Sequence, residues 1–336
     1  MSGLFKKLLP PFGTLLIALA IISCSGNRQK AEDEKTDASL EVPRFNADSA
    51  YAFIVNQVSY GPRVPNTIAH RAAGDYLISS FRKYGAQTIA QEFQATSFDG
   101  QRLALRNIIA SYNPAKQKRI LLTAHWDTRP FADKDLNNTN APEGANDGAS
   151  GAAILLEIAR QIGSNSLPDV GVDLILFDGE DWGEKNNQPV RAQPPNGWDS
   201  WWCLGSQYWS RNKHRPGYTA LYGINLDMVG GRDALFFQEG NSMVYAPEIV
   251  EKTWKMASRM GYSSIFISQE QEGITDDHLF VSDIAKIPTI NIVPYDPLTG
   301  YFGDFHHTQK DNISLISKET LDVVGTLMMN LIYSED

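Results

Sequence analysis

Three carboxylates crowd four positions at the end of one apolar run: in LILFDGEDWGEK, Asp178, Glu180 and Asp181 follow Leu174 to Phe177. Carboxylates held close together repel and push at least one pKa upward, so such a cluster needs a cation or a task that uses a raised pKa. The same punctuation recurs. His125 and Asp127 close RILLTAHWD, Asp227 follows LYGINL, Asp147 lies in GANDGASG, and His306 and His307 come after IPTINIVPY. One acid after a strand is ordinarily a turn former or helix cap, and NDGASG alone could be a cap built on Asn146 or Asp147. Four strand ends with the same chemistry are not explained that way. Imidazole nitrogen and carboxylate oxygen are zinc donors, and a catalytic zinc takes three protein ligands and keeps one position open. Asp147, Asp181 and His307 are the candidates for that set.

The elements that must carry these residues alternate along the chain. Helical spacing of apolar residues predicts helices over 67–86, ended by Gly85, and 149–163, with Gly163 as C-cap. Further helices are predicted over 246–261 and 317–333, the last starting at Ser317 with Thr320 just inside. Extended runs predict strands over 103–112, 119–127, 172–179, 219–230, 234–238 and 287–295. The run 172–179 is continuously apolar, as a strand covered on both faces must be. Alternating strands and helices imply an α/β sandwich on a largely parallel sheet. Such sheets bind ligands beyond the carboxyl ends of their strands, which is where the acids and histidines fall. Gly144, Gly148 and Gly151 let the chain bend around Asp147, and a helix start there favours an anion.

Composition sets the outer limits. The 336 residues carry 42% hydrophobic and 21% charged side chains, ordinary globular composition and enough chain for one large domain or two modest ones, and the net charge of −9 argues against nucleic acid as the main partner. Lys6 and Lys7 precede an apolar run from Phe12 to Ile22, the layout of an export signal and too short to span a bilayer comfortably. The following Ile-Ile-Ser-Cys, ending at Cys24, resembles a bacterial lipoprotein box. The expected organisation is a signal peptide over 1–23, a lipidated flexible tether over 24–43 and one catalytic domain over 44–336, exported and membrane-bound only through Cys24. With Cys24 acylated, the single remaining thiol, Cys203, has no disulfide partner. A monomer is expected.

Six motifs then carry a family resemblance over about residues 50–333: HWD (125–127), ANDGASG (145–151), FDGED (177–181), NLDMVG (225–230), DDHLF (276–280) and HHT (306–308). In type and order they resemble the zinc aminopeptidase superfamily, and within it the glutaminyl cyclases. The Asp276-Asp277-His278 triplet, the tail from Ile292 and Pro294 through Thr308 to Asp311-Asn312, and Leu226-Asp227-Met228-Val229-Gly230 favour the cyclases. Two positions depart from the animal-type pattern: the second acid is Asp181 rather than Glu, and His306 stands where Trp precedes the metal histidine. Either histidine could therefore be the ligand; His307 is preferred because it directly precedes Thr308, leaving His306 to line the pocket.

The resemblance implies a three-layer, aminopeptidase-like single domain around a twisted, mostly parallel mixed sheet. It implies zinc on Asp147, Asp181 and His307, peptides or proteins with N-terminal Gln as substrates, and pyroglutamate plus ammonia as products. Glu180 would be the acid/base, while Asp227 and Asp276 would share a hydrogen bond and steady the amide nitrogen. The competing reading is a zinc aminopeptidase with one or two metals, because His125, Asp127 and Asp227 retain what a second zinc needs. A non-catalytic module fits poorly with the presence of every acid and the late histidine. In GWDSWWCLGSQYW, Trp198 or Trp201 would wall the pocket and Trp209 would be core; Trp126 would pack beneath the site. His278 would orient Asp276 or neighbouring loops. His70 and His214 are read as surface residues without a role.

Overall fold

A computed structural model describes residues 41–136, 140–185 and 193–335. The expected signal peptide and nearly all of the tether lie outside the described residues, as do residues 186–192 of the loop before Trp198. Among the described residues no helix is long and apolar enough to cross a membrane.

The chain runs α1 (Ala47–Ser59), α2 (Ile68–Lys83), β1 (Gln87–Thr96), β2 (Arg102–Tyr112), β3 (Arg119–His125), α3 (Ala149–Ser164), β4 (Gly171–Phe177) and α4 (Leu204–Arg211). It continues with β5 (Tyr222–Leu226), β6 (Phe236–Gln238), α5 (Gly240–Tyr245), α6 (Pro247–Arg259), β7 (Phe266–Glu270), α7 (Asp277–Asp283), β8 (Thr289–Ile292) and α8 (Lys318–Tyr333). The main sheet has the order β1-β2-β4-β3-β5-β8. The β1–β2 and β2–β4 pairs are antiparallel; β4, β3, β5 and β8 are parallel to one another. β6 and β7 form a separate parallel pair. This is the mixed, mostly parallel three-layer sandwich expected from the sequence.

Period-two alternation builds both cores. Ile108, Ile120, Leu122, Val172, Leu174 and Leu176 face the larger one, filled by α1, α3 and α8. Ile109, Leu121, Ile175 and Phe177 face the other, where Trp209 of α4 and Val281 of α7 pack. Every residue of β3, β4, β5 and β8 is buried, which explains the unbroken apolar runs in the sequence.

Several boundaries move. β5 ends at Leu226 rather than 230, because Met228 takes a left-handed backbone (φ +52°) that turns Asp227 out of the sheet. Gly163 is not a C-cap: α3 runs to Ser164, and a Cβ at Gly163 would lie 2.1 Å from the Tyr84 carbonyl oxygen, so the residue is small to let α2's end approach. Neither Asn146 nor Asp147 caps α3. Gly148 holds the N-cap place at φ +91°, where a Cβ would sit 2.5 Å from the Asp127 carbonyl oxygen. Ser317 does cap α8, accepting from the Thr320 N–H at 3.3 Å.

Candidate active site

The four parallel strands point their carboxyl ends to one rim. His125 is the last residue of β3, Asp178–Asp181 follow β4, Asp227 follows β5, and the 293–311 loop follows β8. The connection leading into α3 supplies Asp147, and Asp276 stands immediately before α7. Buried polar links lock the connections. Asp127 accepts the Glu180 N–H (3.1 Å) and the Asp181 N–H (3.2 Å). Asp311 accepts the Asn146 N–H (2.7 Å) and the Asp147 N–H (3.2 Å), tying the β8 loop to the Asp147 turn. Arg63 donates to the carbonyls of Trp126, Glu143 and Gly144 around the same turn.

Asp147, Asp181 and His307 come together. His307 Nε2 lies 3.0 Å from Asp181 Oδ1 and 3.9 Å from Asp147 Oδ2. His307 is presented by a left-handed backbone, φ +58°. Among the described residues, buried Asp181 Oδ1 accepts no hydrogen bond, an acceptor that a cation would satisfy. Burial and the neighbouring Asp147 carboxylate push the Asp181 pKa well up, the strain expected of an acid built to share a positive ion. Arg129 completes the surround: it donates to the Asp181 carbonyl (3.0 Å) and grips Asp133, whose Oδ1 lies 3.7 Å from His307 Nδ1. His306 belongs to the same neighbourhood, with ligand atoms of Asp147, His306 and His307 all within 4.8 Å of one another. Its Nδ1, however, is engaged by the Lys134 ammonium.

A second cluster adjoins the first. His125 Nε2 sits 3.0 Å from Asp147 Oδ1 and 3.2 Å from Asp227 Oδ1, so Asp147 serves both groups. Burial alone would lower the His125 pKa, but the carboxylates of Asp127, Asp147 and Asp227 override it and raise it strongly. Asp127 stands 3.5 Å from the other ring nitrogen, its oxygens committed to the Glu180–Asp181 backbone; it is support, not a donor facing the cavity.

Glu180 lies beside these groups on the wall of a cavity of about 440 Å³, within the range of small-molecule sites. Burial, then the Asp181 and Asp276 charges, raise its pKa well above the ordinary range despite the opposing His125. Asp227, on the same cavity, is pushed up to about 7, chiefly by burial. No hydrogen bond joins Asp227 to Asp276 among the described residues, against expectation. Asp276 instead accepts from Asn225 (3.0 Å), Asn291 (2.6 Å) and the Asp277 N–H (2.5 Å).

The aromatic wall also differs from expectation. Trp198 and Trp201 do not line the cavity; Trp202 does, with Tyr301 and Phe302. Trp198 instead stacks toward Phe93, with centroids 6.5 Å apart, and Trp201 is buried. Trp202 lies parallel to the His307 ring, centroids 5.9 Å apart, with the Arg129 guanidinium 4.7 Å from its centroid. A Cβ at Gly183 would lie 1.9 Å from the Trp202 ring, so that glycine makes room for the wall. In a run of tryptophans with no strong period, sequence could not say which one turns inward.

Other expectations divide. Trp126 is buried and Trp209 is core, as read. His278 pairs with Glu239 (2.9 Å), which accepts the Ile274 N–H (2.8 Å) and so braces the cavity loop before Asp276. His70 is not a surface residue: it is buried, stacked 4.4 Å from Trp126, and bonded at 2.8 Å to Asp178. Asp178 in turn accepts the Arg106 N–H. His214 is half-buried and accepts from the Trp209 indole at 3.2 Å.

Comparison with known proteins fits this geometry. The profile of Peptidase family M28 matches residues 107–332. A Zn-dependent exopeptidase from Parabacteroides distasonis is 48% identical with a TM-score of 0.83, over 88% of this chain and all of that one. The glutaminyl cyclase of Bacteroides thetaiotaomicron, solved with N-acetylhistamine, is 47% identical with a TM-score of 0.83 over the same shares. Aminopeptidase YwaD of Bacillus subtilis is 27% identical over 308 residues, 86% of this chain but 58% of the longer relative.

Proposed function

The chain belongs to peptidase family M28, and from that membership we propose that it is a zinc-dependent glutaminyl-peptide cyclotransferase. It converts the N-terminal glutamine of peptides or proteins to pyroglutamate and releases ammonia. The observation that carries the reading is that Glu180, a carboxyl with a raised pKa, sits on the cavity wall beside the Asp147–Asp181–His307 cluster in a chain 47% identical to a glutaminyl cyclase. Likeness to the Bacteroides cyclase over 88% of the chain supports it.

Asp147, Asp181 and His307 would hold the zinc, which when bound would supply a Lewis acid for the oxygen of the γ-carboxamide. Glu180 takes a proton from the α-amine as that nitrogen bonds to the carbon, then returns it to the departing amide nitrogen, so one ammonia leaves and no water is consumed. The nucleophile and the carbonyl belong to one residue, so the cavity's task is to hold the side chain folded back. Trp202 and Phe302 offer flat apolar faces to its methylenes, while the Asp227 and Asp276 carboxyl oxygens line the cavity as acceptors for the amide N–H groups.

The second cluster supports aminopeptidase chemistry as the alternative, since His125, Asp147 and Asp227 would hold a second metal. Incubating pure enzyme with a glutamine-initiated dipeptide separates the two: ammonia and a cyclised dipeptide support the cyclase, and free amino acids support the peptidase. The proposal also includes export and lipid anchoring through Cys24. That part rests on the Lys6–Lys7 pair, the apolar run and the Ile-Ile-Ser-Cys sequence. Globomycin-sensitive processing tests it, and a chain that keeps its leader or stays in the cytoplasm overturns it.

A further inference from the structure

Among the described residues the Glu180 side chain makes one hydrogen bond, and its donor is not another acid or an amide. The thiol of Cys203 reaches Glu180 Oε1 at 3.1 Å. The contact is reinforced by the backbone: the Cys203 N–H donates to the Glu180 carbonyl at 3.0 Å, and the Leu204 N–H to the Gly179 carbonyl at 3.1 Å. The start of α4 is thus stapled to the connection after β4. Cys203 is fully buried and takes a left-handed backbone, φ +58° and ψ +39°, an arrangement that costs a non-glycine residue energy and aims its side chain at Glu180. Burial and the nearby Glu180 raise the thiol pKa, so the sulfur keeps its proton and acts as a donor.

We propose that Cys203 is a positioning residue for Glu180: its thiol holds one carboxylate oxygen and leaves the other free to face the substrate amine. The inference rests on Glu180 being the proton carrier in the proposed reaction. A carboxylate on two rotatable methylenes, next to Asp181 and a cavity, would otherwise swing among rotamers, and a general base is effective only within hydrogen-bond reach of its proton. The task needs only a donor at this place, which the protonated thiol is.

The test compares wild type, Cys203→Ala and Cys203→Ser, all zinc-loaded, for ammonia release from a glutamine-initiated peptide. Cys203→Ala should lose about tenfold or more in kcat, with KM within about twofold and zinc content unchanged. Cys203→Ser keeps a donor and should recover most of the lost turnover. A packing role alone would make the two variants equally impaired, or lower the melting temperature and turnover in parallel; either result overturns the proposal, as does wild-type kcat in Cys203→Ala. Failure of the cyclase reading looks different: wild type itself would release no ammonia, and the same three proteins would then be compared on peptide hydrolysis, which needs the same base. Crystal structures of the zinc-loaded proteins add a readout free of turnover. Glu180 should leave its wild-type rotamer in Cys203→Ala and keep it in Cys203→Ser; an unmoved carboxylate in Cys203→Ala contradicts the inference.

Discussion

His125 Nε2 lies 3.0 Å from Asp147 Oδ1, within hydrogen-bond reach of a carboxylate that also faces His307. The same nitrogen is 3.2 Å from Asp227, and three carboxylates raise the His125 pKa. His125 already pairs with both carboxylates, so a second metal would have to displace those contacts. The account therefore predicts one tightly held zinc per chain at neutral pH, measured by elemental analysis after dialysis. Two equally retained zinc ions would favour the aminopeptidase alternative.

The metal ligands are separable by substitution. His307→Ala should strip zinc on dialysis, because His307 Nε2 alone is 3.0 Å from Asp181. His306→Ala should retain zinc and lose affinity for substrate, since its Nδ1 is committed to Lys134 on the cavity side. Zinc loss in His306→Ala with retention in His307→Ala would reverse the assignment.

Glu180→Gln preserves shape and removes the base. Turnover should fall about 10²–10⁴-fold, while zinc content and melting temperature stay at wild-type values. A variant as active as the parent would remove Glu180 from the chemistry.

The wall offers a paired comparison. Trp202→Ala should raise KM about fivefold or more, the loss of one aromatic contact. Trp198→Ala should change it little, because Trp198 packs toward Phe93 away from the cavity. Equal effects would show that the wall is misassigned.

Acid stability has a separate origin. Burial lowers the His214 pKa from 6.5 to about 4, and its Nδ1 accepts the Trp209 indole proton only when unprotonated. A histidine whose folded pKa is depressed contributes stability that is complete above its unfolded value and disappears as pH falls through the folded one. Melting temperature should thus drop between pH 6.5 and about 4, and His214→Phe should flatten that slope relative to wild type. Parallel slopes in the two proteins would contradict it.

Much of this site could be read from the chain because the physics is local. Apolar runs ending in His125, Asp178–Asp181 and Asp227 mark strand ends, and parallel strands put such ends on one rim. What was not legible depends on partners far apart in sequence. His70 meets Asp178 across 108 positions. Asp276 finds Asn225 and Asn291 rather than Asp227, a choice made by the spacing of β5 and β8. Trp202 rather than Trp198 or Trp201 faces the cavity because Gly183, on another segment, leaves the room. Cys203 gave no signal at all: its contact with Glu180 follows from a left-handed residue at a helix start, which no pattern of residue types announces.

In the proposed reaction this rim closes a glutamine on itself instead of activating water against a peptide bond. Mass spectrometry of a glutamine-initiated dipeptide incubated with the zinc-loaded enzyme tests it most directly. The account predicts a single product lighter by one ammonia, absent when Glu180→Gln is used. An unshifted dipeptide, or one cleaved into its two amino acids, would contradict it.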